Sequence, residues 1–216
     1  MRTIRLTGLR EKPFAAAHAL RIMTIVILAA GASQRMGRQK LALPVDGRPI
    51  LLRVVDAAAA WPTVVVAGAQ VAQLLDPAAS RIVRNDAPER GMSHSLVLGN
   101  SVVDAADAIA VLLGDLPDIT AGAIATVIAA YHEAIDVVIP CCGQSFGHPV
   151  VFGPRARRKI AELPDGDTIK ALRDDALLRR RLVEVDRTSL TDIDTPSDYA
   201  RRLRAGRASD RYAAES

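Results

Sequence analysis

The chain has 216 residues, half of them apolar but only 3% aromatic, so its core must be built from Ala, Val, Ile and Leu, which suits helices packed on a parallel sheet. No apolar run reaches the roughly 18–20 residues needed to cross a bilayer, which excludes a membrane span and predicts a soluble protein. A net charge of +4 with one Trp, three Tyr and three Phe offers too few stacking rings for nucleic-acid binding, and the only two cysteines, Cys141 and Cys142, are adjacent, which excludes a disulfide framework and points to a reducing cytoplasm.

Residues 1–22 carry Arg2, Arg5, Arg10 and Lys12 but no continuous apolar stretch, so they read as a flexible N-terminal extension and not as a secretory signal. Residues 24–29 are β-branched and unbroken, the pattern of a buried parallel strand. A small-residue loop follows, then a helix over 49–60 closed by Trp61-Pro62. Residues 63–66 form a second strand, 71–75 a short helix and 81–84 a third strand running into the turn Asn85-Asp86-Ala87-Pro88. A helix over 92–103 starts at Gly91, and 108–113 is the strongest strand, followed by a helix over 121–132. Strands at 136–140 and 149–152 precede helices at 155–163 and 168–173, a last strand at 182–185 and a last helix at 196–203. Residues 206–216 read as a C-terminal tail. This alternation predicts right-handed βαβ units, a doubly wound, mostly parallel α/β sheet, and a single domain over 23–205.

The loop after the first strand, residues 28–40, carries the densest chemistry. Gly31, Ala32, Ser33 and Gly37 keep side chains small, so backbone N–H groups can approach an anion, and Arg35 and Lys40 add two cations. A polyphosphate suits such a loop, while a solvated turn is the plainer alternative. It lacks the Gly-Lys-Ser/Thr of a Walker A loop and the third glycine of a dinucleotide fingerprint. Asp115, in Leu112-Leu113-Gly114-Asp115-Leu116-Pro117, sits at the carboxyl end of the strongest strand, where ligands of open sheets bind. It is a helix cap or, beside a triphosphate loop, a Mg²⁺ ligand. Asp192 and Asp194 are two apart and share a face on an extended segment, with Thr195-Pro196 opening a helix after them. Gly91, Ser93 and Ser95 lie at a helix start, suited to capping or to an anion. His148, after Gly147, is either an acceptor contact or a histidine held by backbone.

Leu28-Ala29-Ala30-Gly31-Ala32-Ser33-Gln34-Arg35-Met36-Gly37-Arg38-Gln39-Lys40 closely resembles the signature of the nucleotidyltransferases that activate sugars and cofactors, and most of all the molybdenum cofactor cytidylyltransferase group. The resemblance extends to Gly114-Asp115-Leu116-Pro117, Gly91-Met92-Ser93-His94-Ser95-Leu96, Gly147-His148-Pro149 and Asp192-Ile193-Asp194-Thr195-Pro196. It implies a Rossmann-like, GT-A-like fold in which residues 28–33, Arg35 and Lys40 wrap a nucleoside triphosphate, with Gly91, Ser93 and Ser95 nearby. Asp115 and Asp194 would hold Mg²⁺, and Gly147, His148 and Asp167 would face the acceptor. The implied reaction is CMP transfer from CTP to molybdopterin, with transient contact to a molybdoenzyme or its chaperone. Leu116, and Thr168-Ile169 after Gly166-Asp167, depart from the group's pattern and bear on the acceptor. Another nucleotidyltransferase and a non-catalytic cofactor-delivery protein are the alternative readings.

Overall fold

The computed structural model describes residues 23–31 and 33–214; the expected extension over 1–22, and Ala32 of the loop, lie outside the described residues. β1 (Thr24–Ala29) has every residue from Ile25 onward buried, because a central parallel strand is covered on both faces. β4 (Thr63–Ala67) pairs with it on one side and β6 (Ile109–Leu113) on the other, both parallel. β5 (Arg81–Arg84) extends the sheet beyond β4. Beyond β6 lie β9 (Val150–Phe152), β7 (Val137–Cys142) and β10 (Arg180–Glu184), giving the order β10-β7-β9-β6-β1-β4-β5. Only β9 runs against its neighbours along this path, so the expected mostly parallel, doubly wound α/β sheet is what forms. The chain winds outward from β1 to β5 and then returns to the other side of β1 as β6. The crevice between β1 and β6 is therefore the topological switch point.

Two apolar clusters cover the sheet. Ile25, Ile27 and Ala29 of β1 face one of them, with Ile50, Leu51 and Val54 of helix α1 (Ile50–Ala57); Val26 and Leu28 face the other, with Leu96. The period of two in the strand meets the helical spacing of its covers. Helix α3 (Met92–Ser101) follows a short helix α2 (Ala69–Ala72) and lies tight on β1. A Cβ at Gly99 would collide with Val26 Cγ1, so only glycine allows that approach. Helix α4 (Ala121–Ala129) is capped by Thr120, whose side chain accepts from the Ala123 N–H. Helices α5 (Pro154–Ile160) and α6 (Ile169–Arg173) cover the β7–β9 side.

Three departures from the sequence expectations matter. Before α1 the chain makes a hairpin of β2 (Pro44–Val45) and β3 (Arg48–Pro49), turning at Asp46-Gly47 with φ of 49° and 78°. Two successive left-handed residues match the right-handed twist of a tight hairpin, and Asp-Gly is the usual pair for it. β8 (Ser145–Phe146) folds back on the end of β7. The last helix, α7 (Pro196–Ala214), continues past Leu203 into the segment expected as a tail. Among the described residues no helix is long and apolar enough to cross a membrane.

Candidate active site

At the carboxyl ends of β1 and β6 opens a cleft of about 570 Å³. It is lined by Leu28, Ala29, Ala30, Gly31, Ser33, Arg35 and Lys40 from the first loop, Gly91 and Ser95 at the start of α3, and Asp115 and Asp194. Thus most of the residues singled out from the sequence share one cavity. Ser93 does not line it; that side chain is buried, with its hydroxyl lacking a hydrogen-bond partner among the described residues. Gly147, His148 and Asp167 lie outside the cleft lining as well. Leu41, Pro88, Glu89, Met92 and Leu113 contribute to the walls without having been foreseen.

The first loop is braced from within. Ser33, at a φ of 52°, donates its hydroxyl to Gln39 Oε1 and accepts from the Lys40 N–H at 3.2 Å. Met36 is buried beneath. Ser33 therefore works as a scaffold residue that aims the loop's far end at the cleft. Gly114 delivers Asp115: its N–H donates to Leu28 O at 3.0 Å, and a Cβ there would stand 3.2–3.3 Å from Leu51, Ala29 and that same carbonyl. The Ile193 N–H donates to Asp115 O at 3.1 Å, and Ile193 is buried, which brings Asp194 to the same point. Thr195 and Asp198 then close a reciprocal cap on α7.

The charged groups interlock. Lys40 Nζ donates to Asp115 Oδ2 at 2.7 Å and to Asp194 Oδ1 at 2.8 Å, while Arg35 Nη2 stands 3.0 Å from Asp194 Oδ2. Two cations and two carboxylates thus balance. Burial opposes the charge on Lys40, yet the two carboxylates outweigh it and hold its ammonium above the ordinary lysine range. The hydrogen bond from Lys40 holds Asp194 below the usual carboxylate range. Asp192 is pushed up instead, by burial and by the negative charges of Asp115 and Asp194. Of the pair at 192 and 194, only Asp194 lines the cleft and meets Lys40 and Arg35; Asp192 lines a separate pocket with Asp118 and Arg202.

Asp115 Oδ1 is buried with no hydrogen-bond partner among the described residues. A buried carboxylate oxygen left this way suits a hard cation, which takes oxygen ligands. No group of three or more His, Cys, Asp and Glu side chains cages a metal unaided among the described residues. Mg²⁺ in nucleotide sites is held by one or two carboxylates plus substrate phosphates, so the donor set of Asp115 and Asp194 fits such an ion.

Outside the cleft lining, His148 donates through Nδ1–H to Val111 O at 3.1 Å. Burial pushes its imidazole pKa down. Gly166 packs its backbone 3.2 Å from where a Gly91 Cβ would be, and its N–H donates to Arg90 O, so the loop carrying Asp167 abuts the loop that leads into α3.

Residues 25–185 match the MobA-like NTP transferase domain. The chain belongs to that family. As a MobA-like NTP transferase it is similar to a crystal structure of a homologue of Mycobacterium tuberculosis Rv0371c from Mycobacterium sp. strain JC1, with 30% identity, a TM-score of 0.76, and 86% of this chain and 98% of that one covered. A nucleotidyl transferase from Methanothermobacter thermautotrophicus aligns at 26% identity and a TM-score of 0.74, over 85% of this chain and 99% of that one. The Rv0371c protein of M. tuberculosis H37Rv, in a complex with manganese, shares the fold at 24% identity and a TM-score of 0.72, covering 84% and 98%. A comparison with curated protein sequences gave no match. The nucleotidyltransferase expectation and the Rossmann-like fold are thereby borne out.

Proposed function

We propose that this nucleotidyltransferase transfers CMP from CTP to the terminal phosphate of a molybdopterin-type acceptor and releases pyrophosphate. The observation that carries the chemistry is the Lys40 ammonium held between Asp115 and Asp194 at the switch-point cleft. An acceptor phosphate oxygen attacks the α-phosphorus of the triphosphate in line; the new O–P bond forms as the bond to the β-phosphate oxygen breaks. Charge neutralisation and positioning carry such transfers, so no protein nucleophile is needed. Asp115 and Asp194 would hold Mg²⁺, which supplies neutralisation of the triphosphate when bound. Lys40 steadies the α-phosphate, and Arg35, largely exposed at the cleft mouth, steadies the departing pyrophosphate. The first turn of α3 offers N–H groups without intrahelical partners to phosphate or base, while the Gly91 N–H itself donates to Pro88 O.

Support for CTP is the Ala29-Ala30-Gly31 form of the loop, in which the Ala30 methyl trims the room beside the base. Support for a molybdopterin-type acceptor is the likeness around Gly147-His148-Pro149. One observation favours a different phosphorylated acceptor: Thr168 caps α6 and Ile169 is buried, so a short helix begins where the cytidylyltransferase pattern has a second small residue. Both cysteines are free thiols, which suits a cytoplasmic setting. The test is pyrophosphate release from CTP, GTP, ATP and UTP, each with purified molybdopterin and with a panel of sugar phosphates. Turnover with CTP and molybdopterin is the expected result. Turnover with a sugar phosphate alone would favour the second reading, and binding without release would favour a delivery protein.

A further inference from the structure

Behind the cleft lies a charged knot of Arg53, Arg202, Asp46 and Asp118. Arg202, on α7, donates from Nε to Asp118 Oδ2 at 2.6 Å and from Nη2 to Asp46 Oδ2 at 2.6 Å. Arg53, on α1, donates from Nε to Pro117 O at 2.9 Å and stands 3.3 Å from Asp46 and 3.7 Å from Asp118. The Tyr199 hydroxyl donates to Pro44 O at 2.6 Å, tying α7 to the hairpin a second time. Three of the four members sit on segments that also deliver a cleft charge. Asp46 follows Lys40 by six residues, Asp118 follows Asp115 by three, and Arg202 follows Asp194 by eight.

We propose that Arg202 is a positioning residue that holds in register the three segments carrying Lys40, Asp115 and Asp194. The proposal rests on the nucleotidyltransferase reading. A planar fork with donors pointing two ways can bridge two carboxylates on different loops, which a lysine ammonium on a flexible stem does poorly. Room is reserved for it: a Cβ at Gly206, one turn further along α7, would stand 2.8 Å from Asp46 Oδ1 and 2.9 Å from Arg202 Nη1. Arg202, Asp118 and Asp46 side chains remain 19%, 24% and 42% exposed, so the pairs themselves add little to stability. Their effect falls on geometry. Loss of the bridge frees three loop ends, and supporting contacts of this kind around metal ligands are worth roughly tenfold to a hundredfold in metal affinity or activity.

The experiment compares the unmodified protein with Arg202→Met, Arg202→Lys and Asp118→Asn. It measures calorimetric binding of Mn²⁺ with inorganic tripolyphosphate, binding of tripolyphosphate in EDTA, kcat and KM for CTP, and Tm. Arg202→Met is expected to lose roughly tenfold in the Mn²⁺-dependent binding and in kcat, with little change in EDTA and a Tm lowered by only a few degrees. Asp118→Asn moves the same quantities in the same direction, and Arg202→Lys recovers part of the loss. Unchanged Mn²⁺-dependent binding and kcat in both Arg202→Met and Asp118→Asn would overturn the proposal, as would equal losses with and without metal. If the unmodified protein itself binds no Mn²⁺-tripolyphosphate, the nucleotidyltransferase reading falls and takes this inference with it; if it binds and the variants bind equally, only the inference falls.

Discussion

The two halves of the sheet are built to different standards. On the β1, β4, β5 and β6 side every pairing is parallel, and the residues of β1 from Ile25 to Ala29 are buried. On the β7–β10 side β9 runs antiparallel to both its neighbours while β10 pairs parallel with β7, and Arg180, Arg181, Leu182 and Glu184 of the edge strand β10 are exposed. Phe146, on the β8 return, is exposed with the Arg173 guanidinium 4.6 Å from its ring centre. The first half carries Lys40 and Asp115, which under the proposed reading act on a triphosphate and must not drift. The second presents loops at a sheet edge, where shape can change without disturbing a core. A nucleotide is common to many reactions, whereas the acceptor differs between them.

The contrast can be broken most directly at Asp115. Asp115→Asn should fold normally and lose at least about a hundredfold in turnover, because one carboxylate of the charge cluster is gone. A folded variant with near-normal turnover would remove Asp115 from the reaction. Next is Ala30→Gly, which should relax discrimination between CTP and GTP by about 1–2 kcal/mol without abolishing transfer, since deleting a methyl opens space but creates no hydrogen bond. The ratio of kcat/KM for the two nucleotides reads this, and a preference for GTP in the unmodified enzyme would sink the cytidylyltransferase reading. On the other half, His148→Ala should raise KM for the acceptor by about fivefold and leave KM for CTP alone. Equal rises for both substrates would erase the division between halves.

The smallest effect belongs to stability. Asp136, at the foot of β7, accepts from the Arg179 side chain and backbone, and its carboxyl is held below the usual range by those bonds. A depressed folded-state pKa gives stability that is present above the unfolded carboxylate value near 4 and lost as pH falls through the lower folded value. Asp136→Asn should therefore lower the urea midpoint at pH 7 and show a shallower further fall on acidification than the unmodified protein. Parallel curves for the two proteins would show that this pair is not what acid breaks.

Much of the first half was legible in the sequence because its constraints are local. A β-branched run, small residues and fixed cations follow one another within residues 24–40, and Gly114-Asp115 needs only its strand to be placed. The hairpin at 44–49 was missed although Asp46-Gly47 signals it, because Pro44 and Pro49 flank strands of only two residues each. The extent of α7 was missed for another reason. Its residues are largely polar, so no apolar period marks its end. Arg202 could not be found at all by spacing, since its partners lie 84 and 156 positions away and meet it only through the packing of α7 on the hairpin. Within a run of similar arginines at 201, 202 and 204, nothing in the letters distinguishes the one that bridges.

The position of Lys40 has a consequence for the order in which things can happen. Its ammonium lies between Asp115 and Asp194, so an ion shared by those two carboxylates would compete with it for the Asp115 Oδ2 and Asp194 Oδ1 oxygens it now holds. Under the proposed reading, an ion arriving without a nucleotide must evict a cation that has nowhere better to go. A nucleotide arriving without an ion must draw Lys40 and Arg35 away from carboxylates that would then face each other unshielded. Only when both arrive does every charge find a new partner. On that reading the cluster would act as a coincidence gate, answering more strongly to the metal–triphosphate complex than to either component offered singly.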